Sequence, residues 1–204
     1  MTGYIKKLTN KPMKRLPLYL FLILFTLQAP SLADDIRGFQ IEGMSVGDSL
    51  LDHFSRKEIK KNKGKTKFKN NKFTEQQIKS LDFEFYDHLL IYYKTTDKLK
   101  TIYSISGKKF YEKNIEDCYS EKKEIINELS GLFPDTKIID IEKKPHDHDK
   151  TGESTKDNYR FVFDSKDYVY VACYDWSEAT GYRDHLSVGM VYDEFDHWIY
   201  NEAY

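Results

Sequence analysis

From Asn114 onward the chain repeats an apolar side chain every three or four residues: Ile115, Cys118, Tyr119, Ile126, Leu129 and Leu132, with the stem of Lys122 on the same side. That spacing is the period of an α-helix with one buried stripe, and Gly131 followed by Pro134 marks its end. Cys118 therefore points to the core. Elsewhere the period is two. "NYRFVFD", "DYVYVACYDW" and "RDHLSVGMVY" alternate as half-buried strands do, with Val169, Val171 and Cys173 on one face. "FEFYDHLLIYYKTTDKLKTIYSISG" predicts a hairpin that turns at Thr95-Thr96-Asp97-Lys98.

The remaining elements have shorter signals. "GFQIEGMSVGDSLLDHFS" reads as a short strand, a turn at Gly43 and a helix capped by Ser45 with Asp48, placing Val46, Leu50, Leu51 and Phe54 on one side. Thr74 with Gln77 forms the pattern of a capping box, predicting a second short helix that ends near Leu81. The C-terminal "EFDHWIYNEAY" fits a short helix or an edge segment. The sum is an α+β domain with helices on one face of an antiparallel sheet, in the rough order αα-ββ-α-βββ. Similar phrases at Ile41-Gly43 and Ile105-Gly107 hint at an internal duplication.

The first 33 residues belong to a different class. Lys14 and Arg15 precede an apolar run from Leu16 to Leu27, and Ser31-Leu32-Ala33 supplies the small residues of a cleavage site, with Met13 fitting as the start. This is the composition of an export signal, too short to span a bilayer comfortably and followed by no second apolar run. Residues 34–204 are then one domain. The leader carries five of the 32 basic residues and no acid, so the mature chain holds 27 basic against 33 acidic groups, a net charge of −6. An acidic chain of this kind argues against general nucleic-acid binding.

Charge is uneven. Arg56–Lys72, "RKEIKKNKGKTKFKNNK", has nine basic residues and the single acid Glu58, which leaves the rest of the mature chain at −14. The run reads as a solvated loop or as a patch for weak contact with an anionic surface. Two cysteines in an exported chain favour a Cys118–Cys173 disulfide, alternatives being two free buried thiols or a metal pair. In the loop-entropy account, closing about 55 residues stabilises the fold by roughly 4 kcal/mol.

Candidate chemistry is sparse. Residues 43–47 match the G-x-S-x-G elbow around Ser45, but too few residues precede Gly43 to build the strands that such an elbow needs. Residues 47–50 spell Gly-Asp-Ser-Leu, which resembles the opening motif of a secreted lipase and esterase family and implies Ser49 as nucleophile. That family's Gly-x-Asn-Asp block is absent, and its Asp-x-x-His block is approached only by Glu194-Phe195-Asp196-His197.

"GMSV" followed by Leu50, Leu51 and Phe54 at helical spacing resembles the opening of small exported bacterial α+β modules, the outer-membrane-assembly lipoproteins and β-lactamase-inhibitor-like proteins. "DKTGES", "CYDWSE" and the cysteine-bearing helix resemble uncharacterised exported proteins of AT-rich marine bacteria. These resemblances imply an α+β fold and an address outside the cytoplasm, and bring no activity. The assembly lipoproteins' lipid-attachment cysteine has no counterpart here.

"KKPHDHDKTGES" offers two metal readings and a bland one. Asp147, Asp149, Thr151 and Gly152 occupy positions one, three, five and six of a calcium loop, although position twelve is Asn158 in place of glutamate. His146 and His148 would need Asp184 or His185 to complete a zinc site. Asp149 and Gly152 also suit the first and last positions of a type I turn, the reading adopted here. His53 and His88 adjoin apolar positions and read as packed. Trp176 and Trp198, among many tyrosines, suggest a face for a sugar or peptide, with Asp175, Trp176 and Ser177 the first place to look for ligand contact. The reading is a non-catalytic binding module without a cofactor, with a Ser49 ester hydrolase and a divalent-cation protein built on residues 146–153 as alternatives.

Overall fold

The computed structural model describes residues 35–79, 82–111, 114–147 and 149–204. The leader lies outside these residues, as does His148. Helices are α1 (Leu50–His53), α2 (Arg56–Lys61), α3 (Ile115–Leu132) and α4 (Asp193–Asn201). Strands are β1 (Phe73–Lys79), β2 (His88–Lys94), β3 (Ile102–Phe110), β4 (Lys137–Pro145), β5 (Thr155–Val162), β6 (Tyr168–Asp175) and β7 (His185–Val191). All seven form one antiparallel sheet in the order β1-β2-β3-β7-β6-β5-β4. Two meanders, β1 to β3 and β4 to β7, are joined by α3 and meet where β3 pairs with β7. None of the helices among the described residues is long and apolar enough to cross a membrane.

Alternation along the strands gives the sheet two unlike faces. One face carries Leu89, Ile91, Ile105, Val169, Val171, Cys173, Leu186, Val188 and Met190, all at most 1% exposed. It is sealed by α3 over β6 and β7, and by the segment from Ile36 to Leu50. Cys118 and Cys173 are bonded (S–S 2.06 Å), so α3 is stapled to the middle of the sheet. Beside the staple, the buried Lys122 ammonium meets Asp157 of β5. A lysine on the apolar stripe is thus given a carboxylate at the one place where it enters the core.

Several expectations hold. Asn114 caps α3, its side chain accepting from the Glu116 amide. The hairpin turn lies between β2 and β3, where Asp97 accepts from the amides of Leu99 and Thr101. Others do not. Residues 74–79 lie in the edge strand β1 in place of the expected helix, and Leu81 lies outside the described residues. Thr74 and Gln76 face inward, and the Gln76 amide donates to the carbonyls of Ile59 (2.8 Å) and Asn62 (3.2 Å) while accepting from Tyr93. The first helix starts at Ser49, not Ser45: Glu42 and Gly43 form a tight turn at positive φ, Gly47 sits at φ +92, and only then does Ser49 cap α1. A strand missed in the sequence, β4, forms the far edge, where Lys137, Lys143, Lys144, Pro145 and a bulge after Ile141 discourage further pairing. The order is therefore αα-βββ-α-ββββ-α, and the hint of duplication disappears, since Gly43 lies in a turn and Gly107 lies mid-strand under the Tyr86 ring.

Helices also occupy both faces. On the second face α4 buries Phe195 and Trp198 against Phe73, Tyr168 and Val191. The run 56–72 is not a free loop, because α2 buries Ile59 and the later residues are tied to the C-terminus. The Lys69 amide donates to the Ala203 carbonyl (2.7 Å), Trp198 Nε1 donates to Asn70 Oδ1 (2.8 Å), and Phe68 packs on the Trp198 ring.

The ion pair under α3 is testable. Asp157→Ala leaves Lys122 buried without its carboxylate and should cost about 3 kcal/mol in urea unfolding, whereas Lys122→Met with Asp157→Leu should recover most of it. Equal losses in the single and double variants would contradict the pairing.

Candidate functional site

The second sheet face is covered by α4 over only one half. On the other half, register across the strands lines up three rows of side chains. The outermost runs Lys156, Tyr174, His185 and Phe110. The next runs Asn158, Ala172, Ser187, Lys108, His88 and Lys79. The third includes Arg160, Tyr170, Gly189 and Ser106. Short residues on the floor are covered by long ones: the Tyr170 ring lies over Gly189, where an added Cβ would come within 2.4 Å of it, and its hydroxyl pairs with Ser187 Oγ (3.1 Å).

The outer row is a ladder of rings. Tyr174 stacks on His185 (centroids 4.6 Å, planes 10° apart) and lies parallel to Trp176 at 6.1 Å. His185 meets Phe110 at 5.9 Å, and Phe110 meets His88 at 6.1 Å. Cations flank it: Lys156 over Tyr174 (5.1 Å) and Arg183 over Phe110 (3.6 Å). Burial first, and then the charge of Lys108, pushes His185 down to about 3, while burial and the charges of Lys79, Lys108 and Arg183 push His88 down to about 4. Both imidazoles are neutral at pH 7. Buried His88 Nε2, Asn158 Oδ1, Arg160 Nε and Trp176 Nε1, all on this half of the face or at its rim, have no hydrogen-bond partner among the described residues.

The sequence-selected residues converge at one end of this ladder, in a clasp. Asp149 accepts from the amide and hydroxyl of Thr151 (2.9 and 2.8 Å), the amide and hydroxyl of Ser154 (2.9 and 2.6 Å), and Ser177 Oγ (3.1 Å). The hydroxyls of Ser154 and Thr151 lead in holding its carboxyl well below the usual carboxylate range. Gly152 N donates to Asp149 O (3.2 Å), the turn expected from the sequence. His146 and Tyr182 pack on Trp176 (4.3 and 4.8 Å), and Asp184 accepts from the Trp176 amide. Asp175 accepts from Lys143 (3.1 Å). The aromatic loop is thus packed, with Tyr182 rather than Trp176 its exposed ring. With Asp149 occupied by five protein donors, the loop has spent its best calcium ligand on itself. Among the described residues, no group of three or more His, Cys, Asp or Glu could hold a metal ion.

The serine motifs serve the fold. Ser45 is buried, donating toward Arg37 O and Met190 Sδ. Ser49 Oγ donates to the Leu99 carbonyl (2.8 Å) and caps α1 through the Leu51 amide, so its proton is held by a group that cannot act as a base. His197 contacts Asn201 and Glu202 on and beside its own helix. Comparison with protein-family models, with curated proteins and with solved structures finds no match.

The row of rings was not visible in the sequence, although Tyr168, Tyr170 and Tyr174, alternating with Val169, Val171 and Cys173, mark that strand's second face as aromatic.

Two outcomes follow from these protonation states and contacts. A histidine whose folded pKa is depressed stabilises the fold fully above about 6.5, and that contribution is lost as pH falls toward the folded value. Urea unfolding between pH 6.5 and 5 should therefore show a slope that His185→Phe reduces by up to about 1.4 kcal/mol per pH unit. An unchanged slope would contradict a buried neutral ring. Asp149→Asn should release the clasp, and the Thr151 and Ser154 amides should exchange with deuterium at least about tenfold faster, as expected when a charge-assisted bond is lost. Unchanged exchange would show that the carboxylate does not hold the loop.

Proposed function

We propose that this chain is a non-catalytic binding module of the extracytoplasmic space, periplasmic or secreted, that holds an acidic oligosaccharide along the open half of its sheet. The observation that carries the reading is the ring ladder with its cations. Side chains stand roughly upright on a sheet, so rings stacked across strands turn their edges outward. Ring edges are the positive end of the aromatic quadrupole, and the Tyr174 ring adds a hydroxyl. Lys156 and Arg183 flank this line, and Lys108 and Lys79 stand in the row beside it. Such a surface favours a carboxylate-bearing chain over a neutral one. At about 4.8 Å per strand, the ladder has the length of a short oligosaccharide.

The leader composition and the disulfide support the address. The cap role of Ser49 favours binding over ester hydrolysis, and the self-satisfied Asp149 favours it over cation storage.

Calorimetry with trigalacturonate and neutral maltotriose tests the reading. Trigalacturonate should bind and maltotriose should not, and both Lys156→Gln and Tyr174→Ala should weaken binding by about tenfold, the scale of a charge-assisted hydrogen bond. No binding of the acidic sugar, equal binding of both, or an unaffected Lys156→Gln variant would overturn it.

A further inference from the structure

Where the ladder runs out over β3, β2 and β1, the surface opens into a cleft of ≈ 220 Å³ lined by Lys79, Asp87, His88, Phe110 and Arg183. Two of the five lining residues, Lys79 and Arg183, are cations, against the single acid Asp87. Lys79 stands opposite His88 in the β1–β2 register, and Lys108 stands opposite His88 on the other side. The Arg183 guanidinium lies over the Phe110 ring at 3.6 Å. The one acid, Asp87, is already an acceptor for the Phe110 amide (2.9 Å). His88 lines the cleft and its buried Nε2 has no protein partner among the described residues, at a place where burial and then the charges of Lys79, Lys108 and Arg183 disfavour a second proton on the neutral ring. A cavity of this size is smaller than the usual pocket for a drug-sized molecule and suits one charged group with a short attachment.

We infer that this cleft is an oxyanion subsite taking a phosphate or carboxylate group, with Lys79 and Arg183 supplying charge and His88 Nε2–H serving as a directed donor. Two cations and a fixed N–H give an oxyanion both Coulombic attraction and geometry, and the Phe110 ring closes one side against water. The inference deepens the preceding reading, since the cleft adjoins the end of the ring ladder at Phe110, but it does not depend on an oligosaccharide.

The purified protein is titrated with sodium phosphate and, separately, with sodium galacturonate, at constant ionic strength against a sodium chloride reference, following the His88 ring by ¹⁵N NMR. At least one oxyanion should shift His88 Nε2 saturably. Lys79→Gln should weaken binding by about tenfold and Lys79→Gln with Arg183→Gln by more, as expected for charge-assisted contacts. Tighter phosphate binding identifies a phosphoryl source, and tighter galacturonate binding a sugar acid. No shift beyond the chloride reference, or unchanged affinity in Lys79→Gln, overturns the inference. If phosphate moves His88 while trigalacturonate fails in calorimetry, the subsite stands and the oligosaccharide reading falls. If trigalacturonate binds with Lys79→Gln unaffected, the reverse holds.

Discussion

The Cys118–Cys173 bond decides what each side of the sheet can do. By fixing α3 across β6 and β7, it commits the aliphatic face to the core and leaves the polar and aromatic face, among the described residues, as a broad surface on which these strands can meet a partner. Closing a loop of 55 residues removes roughly 4 kcal/mol of chain entropy from the unfolded state, a large share of a small domain's stability. The Lys122–Asp157 pair lies beside the bond and completes the seal with charge where the stripe is not apolar. On the opposite face, α4 and the Phe68 segment cover one half and stop. The open half follows from that division.

How much of this could be read from the sequence follows from how local each signal is. Helix α3, its cap at Asn114 and the β2–β3 hairpin carry full periodicity within single segments, and all are present as expected. Strand β1 was misread because its inward positions are Thr74, Gln76 and Ile78, so that polar residues satisfied by Ile59, Asn62 and Tyr93 replace the expected apolar alternation, and Thr74 with Gln77 imitates a helix start. Strand β4 is an exposed edge and has little apolar pattern to show. Ser45 and Ser49 both precede helix-like residues, and the choice between them rests on the positive φ of Gly47. The clasp was legible as a place but not as a contact: Asp149, Ser154 and Ser177 meet only because β5 and β6 pair in one register. The ladder depends on β7 inserting beside β3, a non-local event, so Phe110, His185 and Tyr174 cannot be associated from the sequence alone.

The titratable groups of the open half are held in fixed states. Its histidines are kept neutral by burial and by neighbouring cations, its tyrosines are packed, and its one acid at the cleft is bound to a backbone amide. What it offers is fixed donors and positive charge in a row. The residues chosen from sequence, Asp175 to Ser177 and the His/Asp loop, brace the end of that row by packing Trp176 between His146, Tyr174 and Tyr182.

The division into a sealed and an open face is tested most directly by peptide mapping of the non-reduced protein by mass spectrometry. The account predicts one linked peptide pair containing Cys118 and Cys173 within a single chain. Two free thiols, or a link between two chains, would contradict it.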